Sequence, residues 1–179
     1  MRYLGVPTSP FSNRAKTCYF YTMAWGGNRT IILLGLLLAP LVVFWPVPQF
    51  GYVPFDDGLH VYSNPHLNPP TLKKIAALWT RPYRGLYVPL TYTAWAVQAK
   101  FAGKAGHPLS PRLFHVGNLI FHSMNGVLLF LLLTALGLPS LPAFFGCLFF
   151  AWHPLQIEPV AWISALKDLL CGFFVLLAL

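Results

Sequence analysis

Acidic side chains are nearly missing from this chain: four Asp and Glu among 179 residues, against twelve Lys and Arg. Charged residues make up only 9% of the total, where an ordinary soluble domain carries about 25%. That shortage excludes a typical water-soluble domain and points to a membrane protein. The net charge of +8 comes without any nucleic-acid-binding motif, which excludes nucleic acid as the partner. The basic residues form two patches, Arg2 to Arg29 and Lys73 to Arg112. Both flank apolar runs, where cations meet lipid headgroups and lipid phosphates. Cysteine is equally scarce. Cys18, Cys147 and Cys171 show no CxxC or metal-finger spacing, so no disulfide framework or structural zinc site is expected, only buried thiols.

What the chain has in quantity is apolar sequence, 56% of its residues. Residues 31–50, IILLGLLLAPLVVFWPVPQF, carry no charge and at ~1.5 Å per residue would reach across a hydrocarbon core about 30 Å thick. Pro40 is a candidate kink, and Pro46 and Pro48 are stop signals. The run starts far from the N-terminus and lacks a small-residue cleavage site, so it reads as an uncleaved anchor. Arg2, Arg14, Lys16 and Arg29 precede it with no acid among them. The positive-inside rule therefore makes residues 1–29 a cytoplasmic segment. Further spans are expected at 115–136, at 139–152 and, too short to cross, at 169–179. That last stretch predicts that the sequence is a fragment of a longer protein. Residues 30–179 form one partial membrane domain on this reading, with 51–114 as an extracytoplasmic loop. Within that loop, 86–103 could span or lie flat as an amphipathic helix. The flat reading is preferred because it gathers all four acids on one side. It leaves seven Lys and Arg in the outer loop, where a loop this long escapes the charge rule.

Four groups of residues could carry chemistry. Asp56 and Asp57 stand side by side in FDDGLHVYSNP, just past the first run. The plainer reading is an interfacial stop signal. The functional one is a carboxylate pair at the membrane surface, one member a general base towards a hydroxyl, the other orienting it or holding a divalent cation. His115, Asn118, His122 and Asn125 step by three, four and three, a single polar stripe on a helix. Such a stripe faces other helices or a cavity, and interhelical hydrogen bonding explains its asparagines. Its histidines lie about 10 Å apart along the axis, too far to share a metal. His153, Glu158, Lys167 and Asp168 gather in HPLQIEPVAWISALKD, either a loop anchored by Trp152 and Trp162 or the second wall of a site. Finally, Arg81 and Arg84 with Tyr83 and Tyr87 in RPYRGLYVP suit an anionic headgroup or phosphate.

Together FDDGLHVYSNPHL, YRGLYVPLTYTAW, LFHVGNLIFHSMNGVLL and LFFAWHPLQIEPVAWISALKDLL resemble the N-terminal part of the transmembrane and tetratricopeptide-repeat O-mannosyltransferase-like proteins, especially their bacterial relatives. These are GT-C superfamily glycosyltransferases. The resemblance covers residues 30 to 179, and the segment from His153 to Ser164 is its most specific part. It implies an all-α, polytopic helical membrane protein, a GT-C-like N-terminal bundle of about four spans plus amphipathic loop helices. It implies transfer of a sugar such as mannose from a polyprenyl-phosphate donor to a protein Ser/Thr or glycan hydroxyl. Asp56 or Asp57 would be the base, with Glu158 and Asp168 beside them on the second loop. Arg84, His153 and Lys167, with His122 and Asn118, would bind substrate. No metal ligands are assigned, and a divalent cation is left open as a cofactor. The location implied is a bacterial inner membrane with periplasmic acidic loops, or an endoplasmic reticulum membrane. The chain departs from the family in three places. Gly85 interrupts the YRPLT pattern, Leu166 replaces an arginine in the SALKD segment, and no 34-residue repeat is present. Two rivals remain: a non-catalytic membrane anchor or scaffold for a repeat protein, and a transporter of a polyprenyl-linked substrate whose path the polar stripe would line.

Overall fold

The computed structural model describes residues 29–103 and 109–179. The N-terminal basic patch before Arg29, and the cytoplasmic segment assigned to it, lie outside these residues. Among the described residues the chain is all-helical, with no strand. Seven α-helices are joined by short 3-10 and π turns. They are α1 (Arg29–Phe44), α2 (Leu72–Thr80), α3 (Pro89–Ala102), α4 (Arg112–Ala135), α5 (Ser140–Trp152), α6 (Ile157–Ala161) and α7 (Leu166–Ala178).

The central helix is α4, against which α1, α3, α5 and α7 all pack. It is also the one described helix long and apolar enough by itself to cross a membrane, with a mean hydropathy of 1.7. The segments Pro154–Ala161 and Ile163–Ala178 qualify together but are bent by 97° at Trp162. Helices α1 and α5 are apolar but shorter. The run expected to continue to residue 50 is helical only to Phe44. The residue before a proline is steered away from helical backbone, and Trp45 precedes Pro46. The chain turns there and enters a 3-10 turn at Val47–Gln49. The last helix starts at Leu166, three residues before the expected apolar stretch, because Lys167 and Asp168 occupy its first turn.

Packing divides into layers along α4. At one end Leu36, Phe130, Ala143 and Cys147 are buried together. Ala143 and Cys147 lie one turn apart on α5, and their small side chains let α1 and α4 approach closely. At the other end Tyr92, Trp95, Ala96 and Ala99 of α3 bury against Phe114, Ile163 and Leu166. Helix α3, read from sequence as a surface helix, thus has a face in the core. Its Trp95 is only 1% exposed, and replacing it with Ala should cost about 3–5 kcal/mol. In contrast, α1, α5 and α7 leave large apolar side chains uncovered, among them Val42 (74% exposed), Phe149 (70%) and Val175 (53%).

Candidate functional site

The polar stripe on α4 ties the fold together. Asn118 donates from Nδ2 to the carbonyls of Pro159 (3.2 Å) and Trp162 (2.8 Å), which pins the sharp corner between α6 and α7. Asn125 Nδ2 donates to Leu169 O at 3.0 Å. His122 Nε2 meets Ala151 O at 3.1 Å, a carbonyl of the last turn of α5 that Pro154 helps to orphan. His115 Nε2 lies 3.3 Å from Gly51 O. All four side chains are buried, and each bonds to backbone. Asn118 and His122, assigned by the sequence to substrate, are thereby placed within the helical packing. The structure does not bring them to the acidic pair.

The adjacent aspartates have opposite surroundings. Asp57 is wholly buried. Its Oδ2 accepts from Val53 N at 2.9 Å, and its Oδ1 accepts from Ser164 N at 2.9 Å and Ser164 Oγ at 2.6 Å. Ser164 sits in the 3-10 turn Ile163–Ala165, so this carboxylate fastens the first loop to the second across 107 positions. Asp56 is half-buried and makes no hydrogen bond to the described residues. Helical geometry sends consecutive side chains about 100° apart, which is how neighbours reach such different places.

Asp56 instead belongs with His60, one turn on. The His60 ring is buried, with Nδ1 2.8 Å from the Tyr92 hydroxyl, and Tyr83 packs edge-on against it at 6.2 Å. Burial lowers the imidazole below its ordinary pKa; Asp56 pulls it back up, while Lys167 and Arg84 push it further down. Charged groups from three separated segments therefore act on His60. Tyr92 is pushed up to about 12 by burial, then by Tyr83, so it stays protonated and can donate to Nδ1. In that arrangement Nε2 carries the imidazole proton, and in the other tautomer Nδ1 donates to the hydroxyl instead. Tyr52, beside this cluster, is also raised, first by burial and then by the Asp57 charge.

Arg84 reaches the cluster from an unusual backbone. Tyr83 and Leu86 exchange both backbone hydrogen bonds, each 3.0 Å, around Arg84 at φ 50° and Gly85 at φ 82°. Both central residues are left-handed, the signature of a type I′ turn. Gly85 adopts this freely; Arg84 does so at a cost of about 1 kcal/mol. Gly85 is therefore a requirement of this tight turn. Lys167 comes from the opposite loop. Its Nζ donates to Ser164 O at 3.1 Å, lies 3.9 Å from Asp168 Oδ2 and sits 5.3 Å from the centre of the Trp162 ring.

The remaining candidates stand apart. Glu158 is exposed and lines a shallow pocket of about 240 Å³ with Phe50, Val53 and Trp162. Asp168 is exposed and, among the described residues, engaged only with Lys167. His153 caps the turn after α5, its Nδ1 accepting from Leu155 N at 3.2 Å, and packs on Phe149. A divalent cation does not fit this arrangement. Both Asp57 oxygens already accept protein donors, and no group of three or more His, Cys, Asp or Glu converges among the described residues. Sequence reasoning missed His60, Tyr92 and Ser164. For His60 a signal existed: it stands four residues after Asp56, one helical turn away.

No protein-family model, curated protein or solved structure matches this chain.

Proposed function

We propose that this chain is the N-terminal part of a polytopic membrane glycosyltransferase of the GT-C type, using a polyprenyl-phosphate sugar as donor. The apolar exteriors of α1, α5 and α7 support the membrane placement. A surface of uncovered Val, Leu and Phe on three helices is stable against lipid and not against water. With the N-terminus cytoplasmic, the Asp56 cluster faces the extracytoplasmic side.

The observation that carries the reading is the division of labour between the aspartates. Asp57 is spent on Ser164, and the loops it joins bring Asp56, His60, Arg84 and Lys167 together. Asp56 is the free carboxylate, suited to take the proton of an acceptor hydroxyl. As that oxygen bonds to the sugar's anomeric carbon, the bond from that carbon to phosphate breaks, and the polyprenyl phosphate leaves with the electron pair. Attack opposite the leaving group inverts the anomeric centre. Arg84 and Lys167 supply positive charge for the departing phosphate. The acceptor is a Ser/Thr hydroxyl of a protein or a glycan hydroxyl. Every hydrogen bond found for the α4 stripe goes to backbone, which favours a packing role over a transporter's path, while His115 Nδ1, Asn118 Oδ1, His122 Nδ1 and Asn125 Oδ1 stay buried without a partner among the described residues.

The test is sugar transfer by membranes containing the full-length protein with Asp56→Asn. Loss of transfer by at least a hundredfold, with normal insertion and abundance, is expected. Transfer at the wild-type rate would remove Asp56 from the chemistry.

A further inference from the structure

A second feature lies on another face of α4, away from the Asp56 cluster. An apolar groove of about 520 Å³ runs between α1 and α4. Leu38, Leu41 and Trp45 form one wall, and Val116 and Ile120 the other. Leu38, Trp45 and Ile120 are 55%, 68% and 52% exposed, so no described part of the chain covers them. The α4 wall extends from Arg112 to Met124, about 18 Å at ~1.5 Å per residue. Polarity is confined to one end, apart from Ser123: Arg112 and Gln49 stand there and apolar side chains, Trp45 among them, line the rest. Arg112 is exposed and has no hydrogen bond or ion pair among the described residues.

We propose that this groove is a binding site for one anionic glycerophospholipid, with an acyl chain along the α1–α4 slot and its phosphodiester on Arg112. The inference rests on the membrane placement above, not on the transfer reaction. A slot with a single cation at its mouth matches an amphiphile with one apolar chain in the groove and one negative charge. Guanidinium binds a phosphate's oxygens in a two-pronged fashion. The orientation agrees, because the end bearing Arg112 precedes α4 on the same side as the loops, where headgroups of the outer leaflet lie. Charge also argues against a second copy of this chain as the occupant. The chain has only four acids, none lines the groove, and Asp57 is already buried on Ser164. A lipid headgroup supplies the missing anion.

The test uses the full-length protein purified in a mild non-ionic detergent, with dioleoyl phosphatidylglycerol as the probe and bound lipid counted by native mass spectrometry. One tightly held phosphatidylglycerol is expected, with affinity falling about tenfold in Arg112→Gln. Ile120→Trp, which fills the groove from an exposed position, should lower it similarly. Lys73→Gln, an exposed cation elsewhere, should leave it unchanged, and inorganic phosphate should not compete. Unchanged binding in both groove variants overturns the site. So does an equal loss in Lys73→Gln, which would mean diffuse attraction, or binding of polyprenyl phosphate with exclusion of phosphatidylglycerol. A spin label on Ile120→Cys, in a background lacking the native cysteines, should be mobile and open to dissolved oxygen in bilayers. An immobile, oxygen-shielded label would show a protein helix in the groove and overturn the proposal. Recovery of the protein without membranes would remove the membrane placement itself; a membrane protein with unaltered lipid binding in the variants removes only this site.

Discussion

The Asp57–Ser164 pair yields the sharpest prediction, because it assigns different fates to two adjacent and identical side chains. In Asp57→Asn, one oxygen can still face Ser164. The new amide group then meets the Val53 N–H, donor against donor. That removes one bond to a carboxylate and orphans a backbone donor, at a cost of about 2–3 kcal/mol. Asp57→Ala removes the acceptor for all three donors and should cost about 3–5 kcal/mol. Ser164→Ala deletes only the hydroxyl, and with it the 2.6 Å bond, for about 1.5 kcal/mol. In an Asp57→Ala background the same serine change should cost almost nothing, since the hydroxyl has lost its acceptor. The coupling energy of the double-mutant cycle is then about 1.5 kcal/mol. Asp56→Asn makes no comparable change and should stay within about 0.5 kcal/mol of wild type. Thermal unfolding of the purified protein in detergent reads these differences. For a chain of this size ~1 kcal/mol moves the midpoint by about 2–4 °C, so Asp57→Asn should melt about 4–12 °C lower. A midpoint for Asp57→Asn within a degree of wild type, or the same cost for Ser164→Ala in both backgrounds, would refute the latch.

Three further outcomes are expected. Arg84→Asn should raise stability by about 0.5 kcal/mol, since Asn tolerates the left-handed backbone that Arg84 adopts, while sugar transfer falls; a loss of both would mean that Arg84 is structural. Because folding lowers the His60 pKa, the folded state binds fewer protons than the unfolded one just below the ordinary histidine range. The His60 contribution is therefore complete above pH ~6.5 and declines as pH falls through the folded value; unfolding of His60→Gln followed from pH 8 to pH 5 should show a shallower decline than wild type, and parallel curves would contradict the shift. Asn118→Ala should cost about 2–3 kcal/mol and speed proteolysis at the α6–α7 corner, because two carbonyls lose their donor; cleavage that stays as slow as in wild type would show that the corner holds without it.

How far each feature was readable depends on how local its cause is. The apolar helices and the proline-ended α1 follow from composition and sterics within a few residues, and the sequence reveals them directly. The stripe on α4 is visible as spacing, but its partners are backbone carbonyls of α5, α6 and α7, of Trp162 between the last two, and of Gly51. Carbonyls carry no sequence signature, so the asparagines and His122 look equally suited to a ligand or to a helix. The acidic pair shows the same limit more strongly. Little in the local sequence distinguishes Asp56 from Asp57; the Val53 N–H bonds only Asp57, and the larger difference arises when Ser164, more than a hundred residues later, arrives beneath the same carboxylate. His60 was hidden for a different reason. Its one-turn spacing from Asp56 is plain in the sequence, but its importance depends on Arg84 and Lys167 arriving from two other segments.

Arg84 brings local and distant causes together. A type I′ turn strongly prefers Asn-Gly or Gly-Gly, and this chain places arginine where asparagine would cost less. Strain of about 1 kcal/mol is small beside the packing of Tyr83 on His60, His66 and Tyr92, so the fold can carry it. That packing fixes where the turn sits, and the turn fixes where the guanidinium starts. An arginine on a flexible loop would be free to follow solvent. Arg84 is instead anchored one residue beyond a tyrosine wedged into an aromatic cluster, within electrostatic reach of His60. The strained turn thus fixes where the Arg84 charge starts, and that charge acts together with Lys167 on His60; under the transfer reading proposed above, these are the two cations available to a departing phosphate.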